Sequence, residues 1–249
     1  MCCTKFLEKM TAEKIRGDIS GTASDAAHVL WGGGWRMPTA DEMAELHRSC
    51  HMTVTESNGA WGVKFFKDFG NAGEWVFLPA AGGVGICRPG MADCAYWSST
   101  PVGGRRSAYI LKEGDCGCNT YLTAATDFPT PIRPVLDRGL VEASILRGEL
   151  RGGRETPKEG QYREGDIGGL RLQSWGKDAY NSIFGRHGRE ACPVRGTYGG
   201  HGFVDVGTSV LWATRNIGAE SFSEVGSLFM WGETRPTGEY DENRQRLVY

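Results

Sequence analysis

Apolar positions follow a helical period in one short part of the chain and a strand period in several others. Met43, Leu46, His47 and Cys50 fall at i, i+3, i+4 and i+7, which predicts a helix with that face packed inward. Thr39 and Glu42 have the spacing of a capping box, whose hydroxyl and carboxylate each satisfy a first-turn amide, and Pro38 precedes them. A shorter helix is expected over Ser24–Trp31, because Gly32-Gly33-Gly34 loses too much backbone entropy to extend it. From residue 60 the period changes to short aromatic and β-branched runs: Trp61–Phe66, Trp75–Leu78, Ala95–Thr100, Ala108–Leu111, Tyr121–Ala124 and Ile132–Val135. Their spacing is irregular, and Pro79-Ala80-Ala81-Gly82-Gly83 and Arg105–Ala108 interrupt any meander. Two helices followed by a loop-laden sheet predict an α+β fold.

Residues 138–197 read differently. Between Arg147 and Arg171 six basic and five acidic residues alternate among seven glycines, with apolar residues too scattered for any period, which is the composition of a solvated connector. Strand patterning returns in Gly202–Val206, Ser209–Thr214 and Ser227–Trp231. Nothing in residues 1–137 repeats these runs, so the chain holds one copy of each part.

Composition narrows the partners. The 249 residues suffice for a substantial hydrophobic core. Lys plus Arg total 28 and Asp plus Glu total 30, so the net charge of −2 supplies no field for nucleic acid. Arg151-Gly152-Gly153-Arg154 does not alter this, because Glu149, Glu155, Glu159 and Glu164 cancel its charge. Glycine, at 37 residues, is about twice its ordinary usage of ~7%, yet it accompanies 8 Trp, 8 Tyr and 10 Phe, so the chain reads as globular and turn-rich. No apolar run is long enough to insert in a membrane. Met1–Lys9 has no apolar core of a signal peptide, and eight cysteines without paired CxxC spacing leave the redox compartment open.

Four blocks resemble a known family. Asp25–Thr39 (Asp-Ala-Ala-His-Val-Leu-Trp-Gly-Gly-Gly-Trp-Arg-Met-Pro-Thr), Phe77–Gly82, Tyr96–Pro101 (Tyr-Trp-Ser-Ser-Thr-Pro) and Ile132–Val135 (Ile-Arg-Pro-Val) are similar, in order and spacing, to the Fibrobacter major-paralogous-domain family of gut bacteria, over residues 18 to 137. Phe203–Ala219, ending in Trp231-Gly232-Glu233-Thr234, looks like the same family's opening, which there precedes the Trp-Arg-Met-Pro-Thr block and here follows it. Either the chain is circularly permuted, or it spans halves of two adjacent repeats. One composite domain is favoured, since two unpaired halves would each expose an apolar sheet face. On that reading, residues 1–137 form the main part of the domain, 138–197 a connector and 198–249 the completing strands; the other reading makes 198–249 the opening half of a second repeat. The family is similar to the C-type-lectin-like fold in its formylglycine-generating-enzyme branch, through Arg36-Met37-Pro38-Thr39-Ala40-Asp41-Glu42. The resemblance implies a small twisted antiparallel sheet with two helices and long loops, and a cell-surface, adhesin-like setting. That setting conflicts with the lack of an export signal in Met1–Lys9.

In proteins of this fold that are diversified by retroelements, the variable ligand face lies between the Tyr-Trp-Ser-Ser-Thr block and the Arg-Pro-Val terminus. The resemblance therefore implies a display face over residues 102–130, with Val102, Arg105, Arg106, Asp115, Cys116, Cys118, Asn119, Tyr121, Thr123, Thr126, Asp127 and Phe128 as ligand-binding residues. Tyr121 and Phe128 are its aromatic anchors. The expected partner is a protein or a glycan, the expected role non-catalytic, and oligomeric state is left open.

Rival chemistries are less well supported. His47, Cys50 and His51 offer a metal two nitrogens and a sulfur, but a closed zinc site needs four ligands, so they read as packed or half-exposed helix residues and no metal or other cofactor is expected. Cys116-Gly117-Cys118 and the Cys87/Cys94 pair invite a thiol- or metal-dependent enzyme reading by analogy with the formylglycine-generating branch, whose spacing they do not match. Cys87 and Cys94 are also candidates for a loop disulfide if the protein is exported. Asp115, Asn119 and Asp127 carry calcium-type oxygens without the Glu-Pro-Asn signature of sugar-binding lectins, and read as solvated loop groups. Trp35, Trp75, Trp97, Trp212 and Trp231 sit in strand or motif positions and are expected in the core rather than on a stacking platform. A purely structural repeat of a surface protein is the remaining alternative.

Overall fold

A computed structural model describes residues 17–67, 74–80, 94–101, 108–113, 119–124, 129–147, 195–241 and 246–248, with the backbone alone at 94, 108–113, 119–124, 145–146, 238–241 and 246–248. The first helix, α1 (Ala26–Trp31), begins where the Asp25 carboxylate accepts from the amides of Ala27 and His28. It ends at Gly32, whose φ of 62° is a conformation that side chains disfavour. Strand β1 (Trp35–Arg36) leads into α2 (Ala40–Ser49), which opens with the full Thr39/Glu42 capping box. Met43 and Leu46 are buried as the helical period requires, while His47 and Cys50 are only half-buried at the edge of that face.

β2 (His51–Ser57), β3 (Ala60–Phe66) and β4 (Trp75–Pro79) form an antiparallel meander. Asn58 and Gly59, both at positive φ, make the tight turn between the first two. β5 (Cys94–Trp97), β6 (Ala108–Glu113) and β7 (Asn119–Ala124) form a second three-stranded antiparallel sheet. β8 (Val135–Asp137) runs into α3 (Arg138–Leu146). Three further strands follow, β9 (Arg195–Tyr198), β10 (His201–Val204) and β11 (Val210–Ala213), and then the small sheet of β12 (Ser227–Leu228), β13 (Gly238–Asp241) and β14 (Arg246–Val248).

The central sheet has the order β1-β8-β11-β10-β9. β11 lies between β8 and β10, with Leu211 opposite Leu136 and Trp212 opposite both Val135 and Val204. Strands from both ends of the chain thus share one hydrogen-bonded ladder. Alternation along them sends Val135, Val204, Val210 and Trp212 to one face, where Met43 and Leu46 of α2 and the inner face of the β2–β4 meander (Val63, Phe65, Val76, Leu78) close the largest core cluster. Trp35, Leu136, Phe203, Leu211 and Ala213 face the other way and are covered by Val141 of α3. A third cluster gathers Ile19, Ala26, Ala27, Met37, Trp97, Ile132, Ile217, Phe229 and Trp231. Each such fully buried large side chain contributes about 1.5–3 kcal/mol of transfer free energy.

The architecture is α+β, with antiparallel sheets and few helices. Several elements differ from the sequence expectation. Residues 138–146, read as the start of a connector, are a third helix, and β9 begins before that connector's expected end at residue 197. Ile132–Pro134 are buried but unladdered, so the Ile132–Val135 strand starts only at Val135. The Ser227–Trp231 run is cut to a two-residue strand followed by the Thr130–Phe229 bridge. No described helix is long and apolar enough to cross a membrane.

Candidate functional site

Of the residues expected at the ligand face, Val102, Arg105, Arg106, Asp115, Cys116, Cys118, Thr126, Asp127 and Phe128 lie outside the described residues. Asn119, Tyr121 and Thr123 lie on β7, described by its backbone. Their register is defined: Asn119 is opposite Glu113, Tyr121 opposite Leu111 and Thr123 opposite Tyr109. β6 in turn pairs with β5, so the two strands described within the interval extend the sheet from the strand carrying Tyr96 and Trp97.

The two ends of the interval are held together. The Trp97 amide donates to the Pro131 carbonyl at 3.1 Å, and Thr130 and Phe229 exchange backbone hydrogen bonds at 2.9 and 3.1 Å. Two indoles lock this junction: Trp97 Nε1–H donates to the Phe229 carbonyl at 2.6 Å, and Trp231 Nε1–H to the Ser98 carbonyl at 2.9 Å. Both rings are buried, as an indole placed for its polar edge as well as its apolar body should be. The Ser99 amide donates a hydrogen bond to the Pro38 carbonyl at 2.8 Å, tying the Tyr-Trp-Ser-Ser-Thr block to the start of α2.

Beneath the junction sits Arg133, fully buried. Its Nε–H donates to Asn216 Oδ1 at 2.8 Å, and its two terminal nitrogens donate to the carbonyls of Ala213 at 3.0 Å and Phe77 at 2.7 Å. Asn216 Nδ2 donates onward to Tyr96 Oη at 3.1 Å and the Val225 carbonyl at 2.9 Å, while Tyr96 Oη donates to the Pro79 carbonyl at 2.9 Å. Burial pulls the guanidinium down to about 10, against the opposing pull of the Tyr96 phenol, so it stays a cation at neutral pH. A planar fork reaches three acceptors on two segments distant in sequence, where a lysine would reach one point. This network was not singled out from the sequence; its only signal was an arginine inside the apolar run Ile132-Arg133-Pro134-Val135.

The rival sites fare as follows. His51 is exposed with its ring 5.8 Å from Phe66, and the Cys50 thiol donates to the Val206 carbonyl at 3.5 Å. Burial, followed by Glu45, pushes that thiol up to about 11, so it is protonated and a poor nucleophile at neutral pH. Among the described residues no three His, Cys, Asp or Glu side chains cluster as metal ligands. Cys87, Cys116 and Cys118 lie outside the described residues, as do Arg151-Gly152-Gly153-Arg154 and Met1–Lys9. Trp35, Trp75, Trp97, Trp212 and Trp231 are all buried. Set beside known protein families, curated proteins and solved structures, the chain matches none of them.

Proposed function

We propose that the protein is a non-catalytic recognition module, a C-type-lectin-like scaffold of the Fibrobacter major-paralogous type that presents residues 102–130 to a protein or glycan ligand. The observation that carries this reading is the junction at the ends of that interval. Trp97 and Pro131 are hydrogen-bonded to each other, and both ends are fastened to Phe229 and to the fully buried Arg133 network. A scaffold that closes beneath an interval leaves its side chains free to be chosen for a ligand rather than for stability. The hairpin register adds to this, because β7 pairs only with β6 among the described strands and so lies at the outer edge of its sheet.

In this reading Tyr121 and Phe128 supply aromatic contact area, Arg105 and Arg106 charge-assisted hydrogen bonds, and Asp115, Asn119 and Asp127 polar complementarity, with Val102, Cys116, Cys118, Thr123 and Thr126 completing the face. Binding of the purified protein to a printed panel of glycans and a matched panel of cell-surface proteins tests it. Joint replacement of Arg106→Ala and Tyr121→Ala should abolish capture with an unchanged melting temperature. Unchanged affinity would refute the placement. A neighbouring reverse transcriptase gene and an adenine-altered copy of the codons for 102–135 would favour diversified binding over a structural repeat.

A further inference from the structure

Among the described strands, β2 is the longest that pairs on one side only: its seven residues bond to β3 alone. Its register fixes which backbone groups point outward. The Asn58-Gly59 turn joins Ser57 to Ala60, so Ser57, Thr55, Thr53 and His51 are the residues that exchange bonds with β3. The Ala80 amide shows the same phase, because it reaches the Trp61 carbonyl on the far side of β3 at 2.7 Å. The N–H and C=O groups of Met52, Val54 and Glu56 therefore face away from the sheet. Among the described residues only the Thr53 and Thr55 hydroxyls reach them, donating to the carbonyls of Val54 and Glu56 at 3.4 Å. Those contacts are longer than the roughly 2.5–3.0 Å usual for such a bond, and each carbonyl keeps a second lone pair. Edges of this kind are ordinarily blunted by brevity, by proline or lysine, or by a bulge. β1 has two residues and β9 four, whereas β2 (His-Met-Thr-Val-Thr-Glu-Ser) has neither proline nor lysine and pairs with β3 without a bulge.

We propose that β2 is a self-association edge, at which a second copy of this chain adds its own β2 antiparallel about a two-fold axis through Val54. A two-fold normal to the sheet keeps the faces of both copies aligned, so even-numbered residues must oppose even-numbered ones. The outward-pointing residues are the even-numbered ones. Centring on Val54 meets both conditions and uses every outward group: Val54 opposes Val54 of the second copy, and Met52 opposes its Glu56 at either end, each pair exchanging both its bonds. The odd-numbered row then sets Thr53 against Thr55, and His51 against Ser57, of the second copy. Threonine pairs suit a ladder, and the strand's carboxylate, Glu56, meets a methionine rather than another carboxylate. Met52 and Val54 are half-buried against the largest core cluster, so pairing extends that apolar floor across the axis. This palindromic fit favours a second copy over an unrelated strand. The edge is distinct from the 102–130 interval, and its test needs no ligand.

Sedimentation of the full chain at concentrations up to about 1 mM tests the edge. A reversible dimer is expected. Thr53→Lys with Thr55→Lys sets lysine against lysine across the axis and should raise the dissociation constant about ten-fold or more, as should Thr53→Glu with Thr55→Glu. Mixing the two double variants sets lysine against glutamate and should restore a dimer made of one copy of each. Val54→Pro removes an outward amide without touching the β2–β3 ladder, and carries the same comparison should the lysine variant fail to fold. A chain that stays monomeric throughout, a dimer equally tight in the charged variants, or a mixture that does not associate overturns the proposal.

Discussion

The guanidinium of Arg133 and the carboxamide of Asn216 meet at 2.8 Å across 83 residues of sequence, both fully buried. Through this pair the segment that closes the 102–130 interval is bonded to the loop that follows β11. The same arginine reaches Ala213 at the end of β11 and Phe77 on β4, so one side chain joins its own segment to two separate strands.

Removing that side chain strands its acceptors. Arg133→Ala leaves the carbonyls of Phe77 and Ala213 and the amide of Asn216 without their donor, and should cost about 3–5 kcal/mol. Arg133→Lys restores charge but not the fork and should recover only part of the loss. Urea unfolding of both variants measures this; a loss below 1 kcal/mol for Arg133→Ala would show that the network is not a structural hub.

Asp205 gives the protein an acid-side dependence. Burial pushes its carboxyl up, but the Arg138 guanidinium, bonded through both terminal nitrogens, and the Gly207 amide at 2.8 Å outweigh it, and the net shift is below the ordinary value of 3.8. With a folded-state value below the unfolded one, the contribution is present above pH 3.8 and is lost as pH falls through the lower, folded-state value. Asp205→Asn should cost about 1–2 kcal/mol at pH 7 and flatten stability between pH 5 and about 2. Denaturant midpoints across that range, compared with the unaltered protein, check the sign.

Two glycines of the β2–β3 hairpin should respond differently to alanine. At Gly62 an added Cβ lies 2.5 Å from Phe77 Cζ and against the Leu78 carbonyl oxygen, so Gly62→Ala forces a backbone or ring shift worth about 1–3 kcal/mol. At Gly59 the space is open and only the φ of 78° resists, so Gly59→Ala should cost about 1 kcal/mol. Thermal unfolding should rank them in that order; the reverse order would mean the Phe77 ring yields freely.

The two N-caps can be ranked in the same way. Thr39 accepts one amide, from Glu42 at 3.2 Å, and Thr39→Ala should cost about 1 kcal/mol. Asp25, fully buried, accepts from Gly21, Ala27, His28 and Met37, and Asp25→Ala should cost about 2–4 kcal/mol because several buried donors lose their acceptor together. Equal losses would show that water replaces the Asp25 carboxylate.

Elements with strong local chemistry were legible in the chain. The α2 capping box, the Gly32 stop and the burial of the five tryptophans follow from residue type and period, and each appears in the structure. β2 was missed although Asn58-Gly59 is a strong hairpin signal and Met52 and Val54 alternate with polar residues, because the apolar count of that run is low. α3 was missed for a different reason: it has Gly139 in its first turn, and the side chain that places it, Val141, is buried against strands distant in sequence. The Arg133–Asn216–Tyr96 network was invisible because its members are 37 to 120 residues apart and no local period relates them.

By itself the amino-acid order determined where helices start and stop, which faces of the strands are apolar and that the protein is α+β, since capping, glycine entropy and side-chain alternation act within a few residues. Only the tertiary structure decided that β11 inserts between β8 and β10, that Trp97 meets Pro131 and Phe229, and that a buried arginine joins three runs of chain. Those choices depend on which apolar faces and unpaired backbone edges find each other in space, and that matching is made by the whole chain at once.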